Sequence, residues 1–232
     1  TMAFHDWGLV KFDEPFKRLF NQGIVHKDGK RMSKSHGNTV TAEAISRKYG
    51  IDSARLFLLM MASPEKDSEW DEHGIEGAFR IVKKFMGLFE KARGKADALT
   101  EHKLHSTLRA LEQSNQRFEF NKGLVHFIEL VHFLSEREQI EKTVLEKLAL
   151  AIAPVMPHLA EELWEKLGKK TLVAQESWPN YDESKIDKKL EETEKTMEKT
   201  VEDILNILKL VKDKQRREAE KVTGYLFRKY NA

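Results

Sequence analysis

The chain has 232 residues, 40% hydrophobic and 34% charged, so a packed core of one large or two small domains is available. With 40 Lys and Arg against 38 Asp and Glu, the net charge of +2 does not mark a nucleic-acid binder, and any RNA surface must come from local segregation of charge. The absence of cysteine excludes disulfides and thiolate zinc sites, and the nine histidines form no His-Glu-x-x-His pattern. No apolar run approaches a membrane span and no signal peptide is visible, which makes a cytoplasmic protein without membrane contact the expectation. The first residue is Thr1 rather than methionine, which leads us to expect a piece of a longer polypeptide.

Residues 2–9 read as the end of a helix, with Phe4 and Trp7 buried and Gly8 as the stop. Pro15 suits the first turn of a short helix reaching Phe20. Gly23 to Lys27 reads as a strand, and Asp28-Gly29 is a tight-turn signal. The run Lys30-Arg31-Met32-Ser33-Lys34-Ser35-His36-Gly37-Asn38 follows. It places bases, hydroxyls and a glycine in a loop before a helix, an arrangement suited to phosphate, although a plain solvated loop has the same composition. Thr41 is expected to cap a helix from Ala42 that stops at Gly50. Asp52 is expected to cap the next, Ser53 to Ala62, whose Leu56 to Met61 run predicts burial on most sides. Arg55 is the exception there and reads as a snorkelling side chain on the rim. Residues 63–72 form a polar connection in which Trp70 packs toward the following helix or serves as a plain anchor.

From residue 74 the pattern is helical. Ile75, Phe79, Val82, Met86 and Phe89 make one apolar face, and residues 94–100 a loop. Leu104, Leu108, Leu111 and Phe118 define a second helix. Asn121 is a candidate cap for a third, with Leu124, Phe127, Ile128, Val131 and Leu134 inward. Val144, Leu145, Leu148 and Ile152 define a fourth. Ala153-Pro154 breaks it, and Pro157 starts a further helix with Leu159, Leu163, Trp164 and Leu167, ended by Gly168. Amphipathic helices with short joins predict a bundle. His158 has no second metal ligand nearby in sequence and reads as a capping or core residue, while Trp164 and Trp178 read as core aromatics.

Residues 183–213 predict one long helix. Its apolar seam is Ile186, Leu190, Met197, Val201, Ile204, Leu208 and Val211, interrupted at Thr193 or Glu194. The tail is basic, with Lys212, Lys214, Arg216, Arg217, Lys221, Arg228 and Lys229, and Tyr225, Phe227 and Tyr230 are interleaved near its end. RNA contact and a solvated helix face both fit that pattern.

The order of residues adds a resemblance. Arg31-Met32-Ser33-Lys34-Ser35 closely resembles the Lys-Met-Ser-Lys-Ser signature of class I aminoacyl-tRNA synthetases, with arginine for the first lysine, and Gly37-Asn38 fits its continuation. Asp13 to Leu19, Pro64 to Trp70 and Glu76 to Arg80 are similar to the bacterial-type leucyl-tRNA synthetase family. Ala153 to Trp164 resembles the Pro-His-x-x-Glu-Glu-x-Trp segment of the anticodon-binding helical domain of the leucine, isoleucine and valine enzymes. Ser177-Trp178-Pro179 matches the short extended piece after it. The likeness covers residues 2 to roughly 180. Beyond that the chain departs from the bacterial leucyl pattern, which has a small additional domain, and this puts tRNA contacts at that end in doubt.

The resemblance implies a mainly α fold: a helix bundle preceded by the truncated C-terminal edge of an α/β nucleotide-binding domain. It divides the chain into 1–72 (catalytic edge, signature loop and connector), 73–180 (anticodon-binding-like bundle) and 181–232 (long charged helix and basic tail). It implies ATP-dependent ligation of leucine to tRNA(Leu). Lys34 aligns with the lysine that stabilises the departing pyrophosphate. Arg31, Met32, Ser33, Lys34 and Ser35 are the ATP-binding residues. Mg2+ would accompany ATP, with no ligand assignable in this chain. Arg109, Arg117 and Lys122 are candidate contacts to the tRNA backbone. The second class I signature, His-Ile-Gly-His, the leucine pocket and the editing insertion have no counterpart here. The expected partners are therefore tRNA(Leu), ATP, leucine and a missing N-terminal catalytic half, without which this piece should be inactive. A stand-alone tRNA- or protein-binding module, and a fragment of an isoleucyl, valyl or methionyl enzyme, remain as alternatives.

Overall fold

A computed structural model describes residues 2–215, and the fold is mainly α. The chain divides into two units, one running to Glu183 and the other starting at Ser184.

The first unit begins with α1 (Met2–Asp6), closed by Gly8 at φ 71°. Here two expectations are corrected. Phe4 and Trp7 are not buried but 52% and 71% exposed, touching each other rather than a core. No helix forms between Pro15 and Phe20. Phe16 and Leu19 are both 82% exposed, so such a helix would bury no apolar face, and one this short does not hold itself in water.

Regular structure resumes at a three-stranded sheet of order β2-β1-β3, made of β1 (Val25–Lys27), β2 (Lys30–Arg31) and β3 (Ser68–Glu69). Asp28 and Gly29 both take positive φ (57° and 70°), the tight turn that matches strand twist. β3 joins β1 in parallel, pairing Val25 with Ser68 and His26 with Glu69. Side chains reinforce that join: Asp67 Oδ1 accepts from the Ile24 amide at 2.7 Å and Glu69 Oε1 from the Gly29 amide at 3.0 Å. Gly23 is needed where it is, because a Cβ would collide with the Lys66 carbonyl.

The helices follow as α2 (Ala42–Tyr49), α3 (Ile51–Met61), α4 (Glu72–Leu88), α5 (Ala98–Gln116), α6 (Phe120–Ser135), α7 (Lys142–Ile152) and α8 (Pro157–Lys166). Thr41 caps α2 as predicted, its hydroxyl accepting from the Ala44 amide, and Gly50 ends it at φ 80°. α3 starts earlier than predicted, with Gly50 as its N-cap and no side-chain cap. It is buried on one side through Leu56 and Phe57, while Leu58 is 47% exposed. Trp70 packs edge-on against Phe57 of this preceding helix.

Ile75, Val82 and Phe89 are buried as the periodicity predicts, but Phe85 and Leu88 also enter the core and Met86 is 39% exposed. The inward face of α4 is thus rotated from the predicted one. Phe85 meets Phe127 of α6 ring to ring at 5.2 Å, both fully buried. Each such side chain contributes about 1.5–3 kcal/mol of transfer free energy. Leu104, Leu108 and Leu111 of α5 are core residues. Phe118 is not: it follows the helix end in the left-handed region (φ 60°) and stacks on Phe20 at 4.9 Å. Asn121 is no cap either, since α6 begins at Phe120 with no side-chain cap. α5 and α6 approach closely at Gly123, which lies against Ser114 and Leu111. The Ser114 hydroxyl donates back to the Ala110 carbonyl, so its burial leaves no lone donor. The inward faces of α7 and α8 are as predicted, with Val144, Leu145, Leu148, Ile152, Leu159, Leu163, Trp164 and Leu167 all buried.

The second unit contains α9 (Lys188–Gln215), which starts later than predicted. It runs unbroken through Thr193, whose hydroxyl donates to the Lys189 carbonyl at 2.8 Å and so costs the helix little. Met197 and Val201 are about half exposed. The side chains of Val211, Lys212 and Lys214, and all of Arg216, Arg217, Lys221, Tyr225, Phe227, Arg228, Lys229 and Tyr230, lie outside the described residues.

Candidate functional site: a basic loop and the clamp behind it

The loop between β2 and α2 holds the five residues singled out in sequence. Arg31 ends β2 and is exposed, Met32 and Ser33 are half-buried, and Lys34 and Ser35 are exposed. Ser33 is the N-cap of a short 3₁₀ turn, Lys34–His36, its hydroxyl accepting from the His36 amide at 3.2 Å. The same hydroxyl lies 3.0 Å from Ser35 Oγ and 2.5 Å from His36 Nδ1. Gly37 closes the turn at φ 66°, a conformation that favours glycine. The arrangement is a compact turn with a guanidinium and an ammonium displayed to solvent, which suits the oxygens of a polyphosphate. His36 and Asn38 also belong to it. In sequence Asn38 stands out only as part of a motif, and nothing local marks the Asp67 and Glu69 contacts under the hairpin. No local periodicity announces a contact across 40 or more residues.

A second constellation ties the helix after the loop to the bundle. Asp52, in the first turn of α3, is buried, and does not cap its own helix. Its Oδ2 accepts from the Leu159 amide at 2.6 Å and its Oδ1 from His158 Nδ1 at 3.0 Å. It therefore satisfies an otherwise unpaired N-terminal amide of α8. Arg55, one helical turn on, is more than a snorkelling residue: Nε donates to the Val155 carbonyl at 2.9 Å and Nη2 to the Pro154 carbonyl at 2.8 Å. The turn between α7 and α8 and the first residues of α8 are thus held by two side chains of α3.

Three further residues of the surrounding motif have structural roles. Pro157 opens α8, where a missing N–H costs nothing. Glu161 accepts from the Val173 and Ala174 amides at 2.8 and 3.0 Å. Trp164 is buried and donates to the Thr171 hydroxyl at 3.3 Å. Trp178 packs against the core from a half-buried position.

Of the three basic candidates on the bundle, Arg109 lies 3.2 Å from Glu183 and Lys122 lies 2.6 Å from Glu119. The Lys122 ammonium holds the half-buried Glu119 carboxyl below its ordinary value. Arg117 is the C-cap of α5. Among the described residues no group of three His, Asp or Glu side chains is placed to hold a metal ion, and no helix is long and apolar enough to cross a membrane.

Comparison with known families decides what this arrangement belongs to. Residues 97–223 match the family described as the anticodon-binding domain of tRNA ligase. The chain belongs to that family. Residues 5–71, which include the basic loop and β3, match the tRNA synthetases of class I for isoleucine, leucine, methionine and valine. Among similar proteins, the leucine–tRNA ligase of Thermotoga maritima is 39% identical over 207 residues, covering 78% of this chain and 25% of the relative. That of Solibacter usitatus is 38% identical over 194 residues, covering 78% and 24%. Among solved structures, the ternary complex of Agrobacterium radiobacter K84 agnB2 LeuRS with tRNA and LeuAMS superposes with a TM-score of 0.70 at 26% identity, covering 80% of this chain and 27% of the other. The chain spans about a quarter of the length of the curated relatives it matches. In this chain the clamp joins the segment that matches the class I synthetases to the helices that match the anticodon-binding family.

Proposed function

We propose that the chain is the C-terminal part of a cytoplasmic leucine–tRNA ligase and supplies its ATP-phosphate loop and tRNA-docking bundle. The observation that carries this reading is the order of parts. A turn displaying Lys34, with Arg31 on the strand just before it, is built on a class I edge, and α3 grips the anticodon-binding bundle behind it.

In this reaction the leucine carboxylate attacks the α-phosphate of ATP, and the α–β phosphoanhydride bond breaks to release pyrophosphate. A ribose hydroxyl of the terminal adenosine of tRNA(Leu) then attacks the leucyl carbonyl, the ester bond forms, the acyl–phosphate bond breaks and AMP leaves. Negative charge grows on the leaving pyrophosphate, so a fixed ammonium there stabilises the transition state more than the ground state. Lys34 supplies it and Arg31 neutralises the same phosphates. Ser33 and Ser35 hold the turn and offer hydroxyls, and the half-buried Met32 serves loop conformation and packing on the adenine side. Mg2+ arrives with the ATP phosphates and no residue of this chain is assigned to it. The bundle meets the tRNA backbone through bases such as Arg109, Arg117 and Lys122.

The chain alone should not activate leucine, because ATP must first be positioned by the remaining catalytic domain. Loss of orientation forfeits roughly 7–11 kcal/mol in favourable cases. The test has two arms on the purified chain: leucine-dependent pyrophosphate exchange, and tRNA(Leu) binding across a salt series. The expected result is no exchange, with weak binding that falls steeply as salt rises. Exchange by the chain alone would overturn the division of labour. Undiminished binding at high salt would point to a protein- or RNA-binding module of another kind.

A further inference from the structure

The basic loop carries Lys34 on a turn of three residues, and one side chain outside that turn fixes its shape. Asn38 Oδ1 accepts from the Ser33 amide at 2.9 Å. Its Nδ2 faces three carbonyl oxygens, those of Arg31 at 3.3 Å, Lys27 at 3.4 Å and Lys30 at 3.5 Å. The amide has only one workable orientation, since reversing it would set an oxygen against three carbonyls and an NH2 against an N–H. The three carbonyl contacts are long and share two hydrogens, so the Ser33 bond is the strong one. Together they join the end of β1, all of β2 and the start of the turn. Ser33, held in this way, caps the turn that begins at Lys34.

We propose that Asn38 is the positioning residue for Lys34: it holds Ser33 so that the Lys34 ammonium stands where charge develops on the leaving pyrophosphate. This inference rests on the ATP-loop reading above. Asn38 touches no reacting atom. It acts through the Ser33 amide and the capped turn, and a loop loosened by about 1 Å forfeits on the order of 100-fold in rate.

The test compares Asn38→Ala, Lys34→Ala and the double variant in the complete ligase, by leucine-dependent pyrophosphate exchange. Asn38→Ala is expected to lower kcat about 10- to 100-fold with the KM for leucine unchanged. The double variant is expected to match Lys34→Ala within about two-fold, since a misplaced ammonium and a missing one cannot both be lost. On the chain itself, Asn38→Ala should raise hydrogen exchange at the Ser33 amide and leave the thermal transition in place, because the loop lies outside the helical core. If Lys34→Ala slows exchange and Asn38→Ala does not, the positioning role is overturned and the ATP-loop reading stands. Additive losses in the double variant overturn it equally. If neither single variant slows exchange, the ATP-loop reading itself has failed.

Discussion

The Leu159 amide donates to the Asp52 carboxylate at 2.6 Å, across 107 positions of sequence. The first turn of α3 thereby caps the N-terminus of α8. With Arg55 on the Pro154 and Val155 carbonyls, this contact fastens α3 to the bundle. A carboxylate at a helix N-terminus gains from both the free amides and the helix dipole.

Asp52→Ala is expected to destabilise the chain by about 1–3 kcal/mol, because it leaves the buried Leu159 amide without an acceptor. Asp52→Asn keeps an acceptor oxygen and should lose less. Urea denaturation followed by circular dichroism gives both values. Equal stability of Asp52→Ala and the parent chain would mean that α8 is held by its apolar face alone.

Lys34→Ala should slow adenylate formation in the complete ligase by about two to three orders of magnitude, the usual loss for one transition-state donor. Leucine-dependent pyrophosphate exchange measures it. A rate within a few-fold of the parent would remove Lys34 from the chemistry.

Gly123→Ala should be destabilising although alanine is the better helix former. The new Cβ would land on Ser114 Oγ and approach the Leu111 Cα at 3.2 Å, forcing α5 and α6 apart. Overpacking of this kind costs about 1–3 kcal/mol. A raised melting temperature would show that the two helices separate freely at this crossing.

Asp97 is the N-cap of α5, and hydrogen bonds from Thr100 hold its carboxyl below the ordinary value of 3.8, with help from Arg137 at 3.2 Å. A lowered folded-state pKa stabilises the fold at pH above the unfolded value, and the gain disappears as pH falls through the folded value. The side chain is 53% exposed, so the whole cap is worth about 1 kcal/mol or less. Parent and Asp97→Ala chains should therefore differ in urea midpoint at pH 7 and converge in strong acid. A gap that persists below the folded-state pKa would assign the effect to something other than the carboxylate.

Much of the local structure was legible in sequence. The Asp28-Gly29 turn, the Thr41 cap, the Gly50 and Gly168 stops and the Pro157 start formed where expected. Each is settled by backbone energies within a few residues. The periodicities of α6, α7 and α8 also found their core faces, because three or four apolar residues at helical spacing leave one orientation. The five residues of the basic loop stood together in sequence, and the loop presents them together.

What tertiary structure decided is of a different kind. Asp52 looks like the cap of its own helix, and Arg55 like a rim residue. Both are committed to a turn about 100 positions away, visible only once α3 and α8 lie side by side. Phe85 and Met86 differ little in hydropathy, and only the placement of Phe127 opposite sends the first inward. Phe4, Trp7 and Phe16 carry every local mark of core residues, yet no described element of this unit covers them. A local pattern fixes what a segment can form. Burial and long-range hydrogen bonds depend on which segments meet, and that is set by the free energy of the whole packed arrangement.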